Sequence, residues 1–148
     1  MRPIWKIPVT IESLTVLCKD TAVAHLGIEF IEVGADHLRA RGPVDTRTRQ
    51  PYGLLHGGVS VLLAETLGSM AAHFVADPGQ RVVGLEINAN HLRSAHSGWV
   101  TGTGRPLHLG RTTQVWQIEM KDDEGRPTCI SRITIAVLTG REDRNREV

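Results

Sequence analysis

The chain is poor in the features that mark secreted and membrane proteins. Among its 148 residues only two are cysteines, Cys18 and Cys129, too few for a disulfide framework and too far apart for a CxxC motif. The N-terminal residues MRPIWKIPVT lack the long apolar run of a signal peptide. The longest apolar segment, around residues 59–64, is shorter than the run of about 20 residues that a membrane span needs. We therefore expect a cytoplasmic protein with no membrane partner.

The chain has no large excess of positive or negative charge and few aromatic residues. The formal net charge is +1 and aromatic residues make up 4% of the chain, so a basic stripe with interleaved aromatic side chains is absent. The seven histidines lack the paired spacing of zinc ligands. The sequence has no P-loop, H-E-x-x-H motif or strand-linked G-x-G-x-x-G motif. These absences predict no nucleic-acid partner and no metal site.

The chain does have one long apolar segment, residues 50–74, with the sequence QPYGLLHGGVSVLLAETLGSMAAHF. It begins with turn residues and is then typical of a helix. On a helical wheel, one side is bulky and apolar and predicts a core stripe: Leu63, Leu67, Met70 and Phe74. The opposite side is mostly small and leaves room for another backbone or a ligand: Gly58, Val61, Leu62, Gly68, Ser69 and Ala72.

One carboxylate, Glu65, lies on the small side of this predicted helix. No Lys or Arg occurs between residues 53 and 80, and burial of an unpaired carboxylate is costly. On the helix alone, a solvent-facing Glu65 and a functional Glu65 are both open. The amides of Gly57 and Gly58 at the helix start suit an anion or a developing oxyanion, and Ser69 is one turn after the carboxylate. Together these groups indicate an acyl-transfer site.

The residues before this segment predict two short helices and a hairpin. The helices are expected at residues 10–19, with Thr10 as N-cap, and at 21–26. Alternating apolar residues predict strands at 28–33 and 37–44.

The residues after it predict four antiparallel strands, the last two joined by a turn at 122–125. The second of them is expected at 99–105 and is followed by a break at 106–110. In the first strand, alternation predicts one buried face: Val83, Leu85, Ile87, Ala89 and His91. The fold class is therefore α+β, an antiparallel sheet of about six strands wrapped around the long helix. The edges of such a sheet are often closed by another subunit.

Several motifs identify a family. They are LLHGG followed by an apolar helix with a Glu nine residues after the His, VDTRTRQPYGLLHGGVSVLLAETLGSMAA, VVGLEINANHLRSA, PLHLGR and QVWQIE. With these motifs the chain resembles the hot-dog-fold acyl-CoA thioesterases, in the 4-hydroxybenzoyl-CoA thioesterase group with a carboxylate on the helix. The resemblance covers about residues 4–138. It implies one hot-dog domain over residues 1–138, and the charged residues 139–148 are expected to form a frayed tail.

The resemblance also implies a role for each residue of a catalytic set. Glu65 attacks the thioester carbonyl or activates water, two paths that the sequence leaves open. The amide of Gly57 holds the thioester oxygen, and His56 polarises or positions the carbonyl. Gln50 meets the substrate across a dimer interface, and Ser69 orients the carboxylate or the water.

A further set is implied at the rim that binds the coenzyme A part of the substrate. Within it, the two arginines are the expected phosphate partners. Its members are Gly84, His91, Leu92, Arg93, Ser94, His108, Leu109, Gly110, Arg111 and Leu138. No metal or organic cofactor is implied.

The function expected from the resemblance is hydrolysis of aromatic acyl-CoA or aryl-carrier-protein thioesters by a homo-oligomer, a dimer of dimers. Two alternatives remain at this point. One is a hot-dog dehydratase, although the LLHGG context favours a thioesterase. The other is a non-catalytic acyl-CoA-binding regulatory module, against which the presence of Glu65, Gln50 and Ser69 counts.

Overall fold

A computed structural model describes residues 2–139. The elements, in chain order, are α1 Ile11–Leu17, α2 Ala22–His25, β1 Glu29–Val33, β2 Leu38–Pro43, α3 Gly57–Val75, β3 Gln80–His91, β4 Trp99–Leu109, β5 Thr113–Asp122 and β6 Pro127–Thr139. Thr139, assigned to the tail from the sequence, belongs to β6. The rest of the predicted frayed tail, residues 140–148, lies outside the described residues.

The six strands form one antiparallel sheet in the order β1-β2-β4-β5-β6-β3. The helix α3 packs against every strand from β2 to β6. This architecture confirms the prediction of a six-stranded sheet around a long helix. Within residues 2–139, β1 and β3 are the edge strands, so each has one side without a neighbouring strand.

Local sequence signals place the shorter elements correctly. Thr10 is the N-cap of α1, and it forms a capping box with Ser13, whose backbone N–H donates to the Thr10 hydroxyl at 3.1 Å. The β5–β6 turn contains Gly125 with a φ of 78°, a left-handed conformation that glycine adopts without strain. The strands β1 and β2 pair as the predicted hairpin.

The bulky stripe of α3 is the centre of the core. Leu63, Leu67 and Phe74 are buried, and Met70 is half-buried. The small side of the helix also contacts the sheet, because a Cβ added at Gly68 would lie 2.4 Å from Cγ2 of Ile133. The room left at Gly68 is therefore filled by the Ile133 side chain of β6, rather than by a ligand.

The expectation that no segment is long enough to cross a membrane was wrong as stated. Gly57–Val75 has 19 residues and a mean hydropathy of 1.4, which is sufficient by length and composition alone. Packing accounts for this composition, since 56% of the helix window is buried inside the protein. A helix that is covered by its own sheet is apolar because, like a membrane span, much of its surface is removed from water.

The predicted buried face of β3 was also wrong in part. A bulge at Leu85 shifts the register between Gly84 and Glu86, so the alternation of inward and outward side chains reverses there. Consequently Val83 and Leu85 are exposed, whereas Ile87 packs against the core. Periodicity in the sequence does not show this bulge, because Leu85 continues the apolar alternation of Val83 and Ile87.

The predicted break at residues 106–110 is mostly a continuation of β4. The strand passes through Pro106 and ends at Leu109, with a register shift between Pro106 and His108. The neighbouring strand β2 reaches only as far as Gly104 along β4. Beyond that point no strand among residues 2–139 lies on that side of β4 to receive an N–H, so a proline is tolerated.

Candidate active site

The start of α3 is organised by His56. Its side-chain Nδ1 accepts a hydrogen bond from the backbone N–H of Gly58 at 2.9 Å, which makes His56 the N-cap of the helix. Its own backbone N–H donates to the carbonyl of Thr48 at 2.8 Å. Because Nδ1 is an acceptor, the neutral ring carries its proton on Nε2. His56 can therefore present only Nε2–H to a ligand, and the amide of Gly58 is already used.

The amide of Gly57 remains as the donor at this helix end. As the first residue of α3 it has no partner within the helix, and no hydrogen bond from it is formed to any of residues 2–139. The ring of His91 lies beside it, since a Cβ added at Gly57 would be 3.0 Å from His91 Nε2. His91 itself is exposed and is therefore not the core histidine that its strand position allowed.

Gln50 lies in a tight turn that leads into the helix. Its backbone N–H donates to the carbonyl of Leu54 at 2.8 Å, and its carbonyl accepts from Gly53 N–H at 2.9 Å. The side-chain Oε1 accepts from the backbone N–H of Tyr52. This bond fixes the amide orientation, so the free end of the side chain is the Nε2 donor.

Glu65 lies on the side of α3 that faces β3. The residue is half-buried, and Ser69 Oγ donates to its Oε1 at 3.5 Å. The same oxygen approaches the strand so closely that a Cβ added at Gly84 would be 2.8 Å from it. Among residues 2–139, Glu65 forms no ion pair with Lys, Arg or His. Within residues 2–139 the carboxylate therefore accepts a hydrogen bond from a hydroxyl and lies against a glycine, and no cation neutralises it.

Glu65 lies far from the first amides of its own helix. Gly57 and Glu65 are eight residues apart, and the helical rise places them about 12 Å apart along the axis. A thioester carbonyl bound by the Gly57 amide is thus too far from the Glu65 carboxylate of the same chain. The structure brings together Glu65, Ser69 and Gly84 as one group, and Gln50 and Gly57 as another.

The residues predicted to bind coenzyme A also form two groups. Residues 91–94 line a cleft of about 400 Å³ at the start of α3, together with Gln50 and Gly57. Residues 109–111 line a depression of about 300 Å³ beside the end of α3. Leu138 belongs to that end too, since it pairs with Arg81 on β3. In one chain the two groups are about 30 Å apart along β3.

Two single residues of this set have clear surroundings. His108 is exposed, and its ring covers the neighbouring glycine, because a Cβ added at Gly110 would be 2.5 Å from His108 Nε2. Gly84 lies against Glu65 rather than on the rim with residues 91–94. Within one chain Gly84 is therefore separate from residues 91–94, and its role in binding coenzyme A stays a prediction.

The sequence profile of the Thioesterase superfamily matches residues 52–129 of the chain, more than half of its length. The chain belongs to the thioesterase superfamily. The predicted family, the hot-dog fold and the enzyme class of thioester hydrolase are thereby confirmed.

Individual relatives of this thioesterase match nearly end to end. It is 53% identical over 135 residues to the 1,4-dihydroxy-2-naphthoyl-CoA hydrolase of Escherichia coli, covering 91% of this chain and 99% of that one. It is also 53% identical over 135 residues to the proofreading thioesterase EntH of Cronobacter turicensis, covering 91% and 98%. A crystal structure of a thioesterase from Haemophilus influenzae superimposes with a TM-score of 0.92 at 50% identity, covering 96% and 99%.

Thr48 is a residue of this thioesterase that sequence reasoning missed. It is 1% exposed, donates its hydroxyl to the carbonyl of Pro43 at 2.7 Å, and accepts from the N–H of Asp45 at 3.0 Å. Its carbonyl receives the His56 N–H, so the same residue fixes the loop and the entry to α3. A threonine three residues after an aspartate is common in polar loops, so its burial could not be predicted from the sequence.

Proposed function

We propose that the chain hydrolyses aromatic acyl thioesters carried by coenzyme A or by an aryl carrier protein. The proposal depends on the environment of Glu65. This residue is half-buried, accepts a hydrogen bond from Ser69 and forms no ion pair among residues 2–139. Such a carboxylate can act as a base or a nucleophile. Two relatives that are 53% identical support the substrate class, one named for 1,4-dihydroxy-2-naphthoyl-CoA and the other a proofreading thioesterase.

We further propose that each active site is completed by a second copy of the chain. The edge strand β3 exposes the apolar side chains of Val83 and Leu85, and their exposed fractions are 43% and 63%. A second copy paired antiparallel along β3 would bring the start of one α3 towards the middle of the other. It would likewise bring residues 91–94 of one chain to the 138 end of the other. Both separations that prevent a single-chain site would then be removed.

In this site the thioester oxygen accepts a hydrogen bond from the Gly57 amide of one chain. On the base path, Glu65 of the other chain takes a proton from water while the water oxygen forms a bond to the carbonyl carbon. The tetrahedral oxyanion collapses, the carbon–sulfur bond breaks, and the thiolate leaves and takes up a proton. On the nucleophilic path, a Glu65 oxygen forms the bond instead, and water hydrolyses the resulting anhydride.

The other groups position the reactants. Gln50 Nε2 and His56 Nε2–H are donors beside the Gly57 amide, and Ser69 orients the carboxylate or the water. The exposed Arg93 and Arg111 supply positive charge for the phosphates of coenzyme A. No bound metal or organic cofactor takes part in either path. The two buried free thiols fit a reducing compartment, so we propose a cytoplasmic location.

The test of the hydrolase assignment is thiol release from a panel of thioesters. The panel contains benzoyl-CoA, a naphthoyl-CoA, a fatty acyl-CoA and an aryl-carrier-protein thioester. We expect the aryl substrates to be hydrolysed fastest, and Glu65→Gln, which keeps the shape of the side chain, to lower kcat by orders of magnitude with an unchanged circular dichroism spectrum. Equal rates for the variant and the wild type would refute the role of Glu65. Tight acyl-CoA binding without turnover would instead support the regulatory module, and dehydration of a hydroxyacyl-CoA would support the dehydratase.

The shared site is tested separately by mixing two inactive variants. Glu65→Gln and Gly57→Pro each remove one half of the site, so a mixed dimer contains one intact site and one doubly defective site. Equal amounts refolded together should recover about a quarter of the wild-type activity, because random assortment makes half of the dimers mixed. Each variant refolded alone is the control. A mixture no more active than the controls contradicts the shared site and leaves the role of Glu65 intact.

A further inference from the structure

The strand β3 contacts the carboxylate of Glu65 at one point, Gly84. A Cβ added there would be 2.8 Å from Glu65 Oε1, and its next neighbours, Glu65 Cδ and Ile133 Cδ1, are 3.8 and 3.9 Å away. A separation under 3.0 Å is closer than real side chains approach. The φ of Gly84 is not in the left-handed region, so its backbone alone would accept any residue. The Glu65 oxygen occupies the space that a side chain at position 84 would need.

The bulge after Gly84 controls which side chains of β3 face Glu65. Gly84 pairs with the inward-facing Ile135, and after the bulge Glu86 pairs with Thr134. Regular alternation would have placed Glu86 on the same side as Gly84, towards α3. The extra residue turns Glu86 outward, where it is exposed. The bulge thus keeps a second carboxylate away from the first, which like-charge repulsion would disfavour.

We infer that Gly84 is a positioning residue, whose missing side chain lets the Glu65 carboxylate extend from α3 to the free edge of the sheet. The inference rests on the proposed function of Glu65. It differs from a role for Gly84 in holding coenzyme A, because Gly84 acts on the substrate only through the carboxylate. Ser69 holds the same oxygen from the helix side, so hydroxyl and glycine together set its place.

The variant that tests this role is Gly84→Ala, and the chain offers a matched control in Gly102→Ala. A Cβ at Gly102 would be 2.7 Å from Cδ1 of Leu67, an equally close approach in a strand but to an apolar side chain. We expect Gly84→Ala to lower kcat about 10- to 100-fold with KM changed less than about twofold, because a shift of about 1 Å in a reacting group has that effect. Gly102→Ala should lower the melting temperature and leave kcat near the wild-type value below that temperature.

A double-variant cycle separates positioning from general damage. In the Glu65→Ala background, Gly84→Ala should have no further effect on the residual rate, and it should lower the melting temperature less than in the wild type. Thermal unfolding separates positioning from general damage even if Gly84→Ala alone is largely unfolded. In that case removal of the carboxylate in the Glu65→Ala background should restore folding. An equal loss of rate or of melting temperature in both backgrounds overturns the inference, as does a wild-type kcat for folded Gly84→Ala. If the wild type hydrolyses no thioester of the panel, the proposed function and this inference fail together.

Discussion

The substitution Gly57→Pro would remove a single hydrogen-bond donor from the candidate site. Gly57 is the first residue of α3, a position where proline is favoured because its missing N–H has no partner in the helix. The preceding residue, His56, has φ −64° and ψ 129°, an extended conformation that is compatible with a following proline. The helix should therefore form as in the wild type while the proposed oxyanion donor is absent.

The expected magnitude follows from the chemistry of that donor. Loss of one oxyanion donor typically lowers kcat by about 100- to 1,000-fold, which corresponds to about 3 to 4 kcal/mol of transition-state stabilisation. A side chain at position 57 also meets the His91 ring at 3.0 Å, so the steric effect needs its own control. Gly57→Ala is that control, since it adds the same Cβ and keeps the N–H. We expect it to lower kcat less than about tenfold.

The assay measures thiol release with a chromogenic disulfide, at saturating aryl-CoA, for both variants and the wild type. Circular dichroism and the melting temperature show whether the two variants keep the fold. A Gly57→Pro enzyme that is folded and as active as Gly57→Ala would refute the assignment of the Gly57 amide. If both variants lost kcat to the same large extent, the cause would be the steric contact with His91 rather than the missing N–H donor.

Three further predictions concern the scaffold. Leu67→Ala should lower the free energy of unfolding by about 2–5 kcal/mol in urea denaturation, because Leu67 is fully buried, and a smaller effect would contradict tight packing. The Arg39 guanidinium beside Glu32 lowers the pKa of that carboxyl, so its stabilisation is present above its ordinary pKa and is lost as the pH falls through the lowered value. The destabilising effect of Glu32→Gln should accordingly shrink between about pH 7 and pH 3, and an effect independent of pH would refute the pairing. Burial raises the pKa of the Cys18 and Cys129 thiols, so a thiol reagent at about pH 8 should modify them far more slowly in the native protein than in urea, and fast native labelling would contradict their burial.

Sequence reasoning succeeded where structure depends on residues close together in the chain. The Thr10 cap, the turn at Gly125 and the apolar stripe of α3 all depend on contacts within a few residues or on one helical period. It failed at the Leu85 bulge and at Pro106, because both depend on what the neighbouring strand offers. Apolar residues alternate through the bulge in sequence, and only the pairing with β6 shows that Leu85 is extra.

The amino-acid sequence alone predicts the family, the fold and the kinds of group at the candidate site: a carboxylate on an apolar helix, a glycine amide at its start, and a hydroxyl one turn later. The positions of these groups relative to one another depend on the tertiary structure. In that structure Nδ1 of His56 caps α3, the Gly57 amide donates to no group among residues 2–139, and Gly84 lies against Glu65. The physical reason is that a helix fixes the spacing of its own residues, about 12 Å between Gly57 and Glu65, whereas their partners come from strands and loops distant in the chain.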